Sequence, residues 1–296
     1  MLYRPFRVAL TTSFRGVRER SGVLIRMADA PDDAPWGEYS PFPDYSPERA
    51  HRWWLGAAEA AKGLWPQPVQ ESVAVNSIVP VVAPDEVPRY ALAHGCRTAK
   101  VKVGGPTSTL KDDCARVEAA AAALGTGGAL RVDANGAWQV DEAVAAIKAL
   151  DAAVRTGGLG GLEYVEQPCA SAPELALVRR KVEVPIAADE SVRIPGDIQE
   201  VLRLEAADIL VLKVNPLGGV RACMELAERA ERPIVVSSAM ESSVGLQAGL
   251  ALALALPPQP YAHGLGTGAL LASDTVAQTL LPVDGRMRMT TLVVTA

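Results

Sequence analysis

Alternating β-branched and alanine-rich segments after residue 73, charge at the ends of five successive strand candidates, and a differently textured first seventy residues predict an α/β chain. The expected architecture is a modified TIM barrel, (β/α)7β-like, with a small N-terminal α+β capping domain. Residues 1–70 form the cap in this reading, residues 71–270 the catalytic barrel, and residues 271–296 a C-terminal segment that returns to the cap. At 296 residues the chain can bury one barrel-sized core and a modest second unit.

In the cap, residues 4–12 and 22–27 read as strands. The polar stretch between them carries Arg15, Arg18 and Arg20 and suits either an exposed hairpin or a loop that closes over a site. Ser46-Pro47-Glu48-Arg49 then sets a helix start with proline in its first turn. Composition changes after Gln67-Pro68-Val69-Gln70, the expected joint between the two units.

The barrel strands are expected at 73–81, 98–103, 129–133, 162–166, 186–189, 209–213 and 234–237, with a weaker one at 261–264. Eight strands close a barrel, and no GxGxxG follows the first strand to argue for an open doubly wound sheet. Between them, residues 141–150 carry Asp141 and Glu142 in a first helical turn and Val144, Ile147 and Leu150 on one face, so this helix packs outside the barrel. The apolar stretch 245–256 is short of the roughly twenty residues that span a bilayer, and reads as a buried helix.

Composition excludes several classes. Hydrophobic residues make up 49% and charged residues 21%, with a net charge of -5, which offers no footprint for nucleic acid and no sign of a membrane protein. Cys96, Cys114, Cys169 and Cys223 lie far apart without CxxC spacing, as expected of reduced thiols in a cytoplasmic protein. The first residues lack the charged and apolar regions of a secretory signal.

The chemistry is expected where the strands end. The second candidate strand ends in Lys100-Val101-Lys102, the third in Arg131-Val132-Asp133-Ala134-Asn135, the fourth in Glu163-Tyr164-Val165-Glu166, the fifth in Ala188-Asp189-Glu190 and the sixth in Leu212-Lys213. A lone Asp there is commonly a helix N-cap and a lone Lys a solvated side chain. Five in succession converge on one cavity, because the C-terminal strand ends form the active-site face of such a barrel.

Asp133, Glu166 and Asp189 come from adjacent strands, and three crowded carboxylates repel unless a cation neutralises them or some protonate. All-oxygen ligation without a nearby histidine or cysteine points to Mg²⁺, with Mn²⁺ as a substitute. The second and sixth strands of eight are opposed, so Lys102 and Lys213 face one another across whatever the metal holds. Lys100 shares the inward face with Lys102, one layer lower. A lysine base and a metal together suit removal of a proton next to a carboxylate, so the expected partner is a small-molecule carboxylate. His263 reads as structural, and the glycine pairs Gly218-Gly219 and Gly264-Leu265-Gly266 are weak signals for a phosphate cradle.

These motifs resemble, in order and spacing and over essentially the whole chain, the muconate-lactonising branch of the enolase superfamily. With segments 237–246 and 263–268 added, the chain is similar to the short actinobacterial dehydratases of that branch, which serve menaquinone biosynthesis. The resemblance implies that Asp133, Glu166 and Asp189 bind Mg²⁺, that Lys102 moves the proton and assists departure of hydroxide, and that Lys213 stabilises the intermediate charge. It implies orienting roles for Asn135 and Glu190, beside Lys100. Substrate contacts are expected from Arg131, Ser237, Ser238, Met240, Glu241 and Gly264. Racemisation of N-succinyl amino acids, dipeptide epimerisation and muconate cycloisomerisation fit the same frame. A non-catalytic metal- or phosphate-binding barrel is the alternative outside enzymology.

Overall fold

The computed structural model describes residues 1–14, 16–31 and 34–295. Its cap is an antiparallel sheet of β1 (Leu2–Phe14), β2 (Val17–Arg26) and β3 (Gly37–Tyr39), in that order, covered by α1 (Pro47–Ala61). Ser46 caps α1 through its hydroxyl, which accepts from the Arg49 N–H at 3.4 Å. Trp53, Ala57 and Ala61, spaced by four, are buried on the inner face of α1. Gly37 lets β3 approach that face, since a Cβ there would stand 1.9 Å from the Ala57 carbonyl oxygen.

Of the two readings of the stretch 13–21, hairpin or closing loop, β1 and β2 form the hairpin, though it is not wholly exposed. The two strands run on almost to the turn, with Phe14 opposite Val17, so Arg18 and Arg20 belong to β2. Arg20 lies opposite Val8, on the buried face it shares with Leu24, and is 2% exposed. Arg15 falls outside the described residues.

The barrel is a parallel sheet of β5 (Ser77–Val79), β6 (Thr98–Lys102), β7 (Ala129–Asp133), β8 (Val165–Glu166), β9 (Ile186–Ala188), β10 (Ile209–Leu212) and β11 (Ile234–Val236), each bonded to the next. The first candidate strand splits, because β4 (Val73–Ala74) pairs antiparallel with the distant β12 (Arg286–Met287) instead. Closure needs no full eighth strand. His263 bridges to Val75 and Gly264 to Ser237, both parallel, so 263–264 fills the gap between β5 and β11. The Gly264 N–H donates to the Val236 carbonyl at 2.8 Å, and the His263 N–H to that of Ala74 at 2.8 Å.

Outside run α2 (Val87–Ala91), α3 (Leu110–Leu124), α4 (Val140–Thr156), α5 (Ala172–Arg179), α6 (Pro195–Arg203), α7 (Val214–Leu217), α8 (Val220–Ala230) and α9 (Ser243–Ala255). In α4, Ile147 and Leu150 are buried while Val144 is half-buried, and Asp141 and Glu142 occupy the first turn. Every residue of α9 is buried, because it is overlain by both the cap and the C-terminal segment. Each of its leucines contributes about 1.5–3 kcal/mol by that burial. The C-terminal segment touches both units: the Ala272 N–H donates to the Ala9 carbonyl of the cap at 2.8 Å, Leu292 and Val294 pack on Phe6, Val8 and Trp36, and the Gln247 side chain of α9 donates to the Thr290 carbonyl at 2.5 Å. Among the described residues no helix is long and apolar enough to cross a membrane.

Candidate active site

Strand register sets the level of each functional side chain. Lys102 pairs with Asp133 and Asp133 with Glu166, so these three strand ends stand at one height. Lys100 pairs with Arg131 one layer below. Glu166 pairs with Ala187, which leaves Asp189 two residues further, just past the end of β9. Lys213 immediately follows β10. Asn135 and Gln167 turn the chain away from β7 and β8 with φ of 49° and 42°, the left-handed region that Asn tolerates better than most residues.

Buried charge at these ends is balanced by buried charge. Asp133, Glu166 and Asp189 are each no more than 1% exposed. Lys100 donates to both oxygens of Glu166, at 2.8 and 2.9 Å. Lys102 donates to Asp133 Oδ2 and, at 2.9 Å, to Asn135 Oδ1. Lys213 reaches Asp189 Oδ2 at 2.6 Å. Arg193 grips both Asp189 oxygens, at 2.8 and 2.9 Å, and Glu190 at 3.1 Å. Four carboxylates thus meet four cations.

The acidities follow from this pairing. Burial alone would raise Asp133, but Lys102 and Lys100 outweigh it and hold the carboxyl down at about 2. Burial likewise opposes ionisation of Asp189, and Arg193 and Lys213 overcome it, keeping that carboxyl far below the usual range. Burial pushes Glu166 up to about 7, because Lys100 does not fully offset it together with repulsion from Asp133 and Asp189. Burial and the Asp189 charge also push Glu190 up.

A cavity of about 870 Å³ opens above these groups. Lys102 and Lys213 both border it, as do Lys100, Asp133, Asn135, Glu190 and Arg193. Ser237, Ser238, Met240 and Gly264 form a wall from the barrel side, and Phe42 contributes one from the cap. Glu166 lies behind Lys100, and Asp189 behind Lys213 and Arg193. As the side chains stand, no three His, Cys, Asp or Glu groups among the described residues share a point at ligating distance. The donor chemistry nevertheless fits a hard divalent cation. Three carboxylates on adjacent strands already draw positive charge, and among the described residues no histidine or cysteine lines the cavity beside them.

Two expected substrate contacts are corrected. Arg131 is wholly buried beneath the site, donating to Glu163, to the Tyr164 hydroxyl at 2.7 Å and to the Ala262 carbonyl at 2.8 Å. Strand alternation points it inward but one layer too low. Glu241 turns away from the cavity: its carboxylate accepts from the Ala239 N–H at 2.7 Å and from Asn215 at 3.1 Å. The wall's own donors are largely used as well, since the Met240 N–H donates to Ser238 Oγ at 2.9 Å and that hydroxyl pairs with Thr267 at 2.6 Å. His263 is 3% exposed, and its Nδ1 accepts from the Val236 N–H at 3.0 Å. Burial and the Arg131 charge lower its pKa to about 4, so it is a neutral, structural imidazole.

Sequence reasoning missed Arg193, although a basic residue four after Asp189 on a helical turn was a usable signal. It also missed Phe42 and the cap residue Glu38, for which no local pattern speaks.

Comparison with known proteins agrees with this geometry. Residues 83–292 match the family described as enolase C-terminal domain-like, and residues 6–61 the one described as enolase N-terminal domain-like. The o-succinylbenzoate synthase of Thermobifida fusca is 53% identical over 96% of this chain and 86% of its own. That of Mycolicibacterium smegmatis is 48% identical over 92% and 80%. Among solved structures, the L-Ala-D/L-Glu epimerase of Bacillus subtilis superposes with a TM-score of 0.81 at 22% identity, over 99% of this chain and 96% of that one. Muconate cycloisomerase of Pseudomonas fluorescens does so at 0.77 and 20%, over 98% and 93%. These two establish the fold alone. With a barrel of this topology, matches to both units, and relatives near 50% identity over nearly the whole chain, the protein belongs to the o-succinylbenzoate synthase family of the enolase superfamily.

Proposed function

We propose that the chain catalyses dehydration of a cyclohexadiene hydroxy carboxylic acid to o-succinylbenzoate in menaquinone biosynthesis, working in the cytoplasm, where its free thiols stay reduced. The observation that carries the reading is that Lys102 and Lys213, from opposed strands, border one cavity together with Asp133. Asp133, Glu166 and Asp189 are the residues that would hold Mg²⁺ or Mn²⁺. Bound there, the ion would supply positive charge to the substrate carboxylate and so lower the cost of removing the neighbouring proton.

The chain's own residues do the rest. Lys102, as the neutral amine, takes the α-proton, and the electron pair left on carbon delocalises into the carboxylate. Lys213 presents positive charge to that carboxylate from the opposite face. The ammonium of Lys102 then returns its proton to the departing hydroxyl on the same face, the C–O bond breaks, and water leaves as the ring becomes aromatic. Asn135, bonded to Lys102 and set between Asp133 and Glu190, keeps the amine aimed.

Ultraviolet absorbance on conversion of the hydroxy acid tests this, run beside polarimetry with N-succinyl amino acids. The second substrate matters because a lysine on each face also suits two-base racemisation. Turnover that is lost on chelation and restored by Mg²⁺ or Mn²⁺ is expected. Full activity in metal-stripped protein would refute the role given to the carboxylates.

A further inference from the structure

The cap reaches the cavity wall through two residues that do not line it. Arg20 of β2 donates from Nε to the Met240 carbonyl at 3.2 Å and from its terminal nitrogen to the Ser40 carbonyl. Its guanidinium carbon also lies 4.0 Å from the Phe42 ring centroid, a cation–π contact. Met240 and Phe42 are opposite contributions to one cavity, the first from the barrel and the second from the cap. A single buried cation therefore joins both walls.

Glu38 of β3 holds the far end of the same turn. Its carboxylate accepts from the Ser242 N–H at 3.1 Å, the Gly245 N–H at 3.0 Å and the Ser242 hydroxyl at 2.5 Å. Gly245 permits that approach, since a Cβ there would stand 2.9 Å from Glu38 Oε2. Between the two clamps Met240 holds φ at 63°, a region that a non-glycine residue occupies only when its surroundings impose it. Arg20 and Glu38 are what the cap imposes.

We propose that Arg20 and Glu38 are positioning residues: from the cap they fix the turn 240–242, and with it the wall of Ser238, Ala239 and Met240, so these two residues set substrate fit without touching substrate. The inference rests on the dehydratase reading for its kinetic readout alone. Arg20 suits the task because its planar fork serves two carbonyls and a ring at once, which an ammonium cannot do.

The test uses the Mg²⁺-loaded full chain with Arg20→Met, Arg20→Lys and Glu38→Gln, measuring kcat and KM for the hydroxy acid and amide hydrogen exchange by mass spectrometry. Arg20→Met is expected to raise KM about tenfold or more, the scale of losing one charge-assisted hydrogen bond, with kcat changed much less. Exchange should quicken at 240–242 and stay unchanged at the ends of β6 to β8. Arg20→Lys keeps the charge and should fail to restore KM. If Arg20→Met does not fold, the other two variants carry the same expectations. Unchanged protection of 240–242, a wild-type KM in Arg20→Lys, or a loss confined to kcat would each overturn the proposal. If the wild-type chain does not dehydrate the hydroxy acid, the functional reading fails, and the exchange data still decide this one.

Discussion

Asp133 and Glu38 are equally buried carboxylates, each 1% exposed, yet their surroundings are opposite in kind. Glu38, in the seam between cap and barrel, is met by serine hydroxyls and backbone N–H groups. Burial pushes it up to about 7 despite those bonds. Asp133, at the barrel mouth, is met by the ammonium groups of Lys100 and Lys102, which hold it at about 2. A carboxylate bonded to fixed neutral donors is committed to structure. One balanced by long, rotatable cations beside a cavity can exchange those cations for a metal and a substrate.

The largest expected effect breaks the site alone. Lys102→Ala should lower turnover by roughly 10²–10⁴-fold or more and stop exchange of the substrate α-proton in D₂O, while circular dichroism and the melting curve stay near wild type. Next, Asp133→Asn should cost over about 100-fold in Mn²⁺ affinity by calorimetry, beyond the 10–100-fold expected of Asn135→Ala, which loses only an orienting partner. Equal, small losses in both would erase the distinction between holding the ion and orienting its holder.

The seam responds to pH instead. Glu38 titrates at about 7 in the folded chain, above its ordinary 4.5, so between those values the native state keeps a proton that the unfolded chain has lost. Stability conferred by that proton is fully present below about 4.5 and lost as pH rises through 7, a change of about 3 kcal/mol. Urea unfolding at pH 5 and pH 8 should show this loss in wild type and a smaller one in Glu38→Gln. Identical pH dependence in both would contradict the account of Glu38.

The contrast also explains what was legible beforehand. Lys102, Asp133, Glu166, Asp189 and Lys213 each terminate a β-branched run, so strand position alone brings them to one face. Arg131 obeys the same alternation but sits a layer lower, and its depth depends on Glu163, Tyr164 and the Ala262 carbonyl, none of which a strand pattern weighs. Arg20 reads from sequence as part of an exposed hairpin or a closing loop, because its charge masks a buried strand position. The carbonyls of Ser40 and Met240 and the Phe42 ring, none adjacent to it in the chain, help make its burial tolerable. The eighth strand is two bridged residues, and β4 finds its partner more than two hundred residues away. The first leaves only a weak local signal, read at 261–264, and the antiparallel partner of β4 leaves none near it in the chain.

The two lysines offer the most direct measurement of the central claim, that one face carries both proton transfers and the other only charge. Turnover of the hydroxy acid should be compared in Lys102→Arg and Lys213→Arg. A guanidinium is a cation but not a base at neutral pH, so Lys213→Arg should retain part of the activity, while Lys102→Arg falls to background. Removing the charge altogether in Lys213→Ala should cost about 3 kcal/mol of transition-state stabilisation. Both arginine variants at background, with wild type interconverting N-succinyl amino acid enantiomers, would contradict one-face dehydration and point to a two-base racemase.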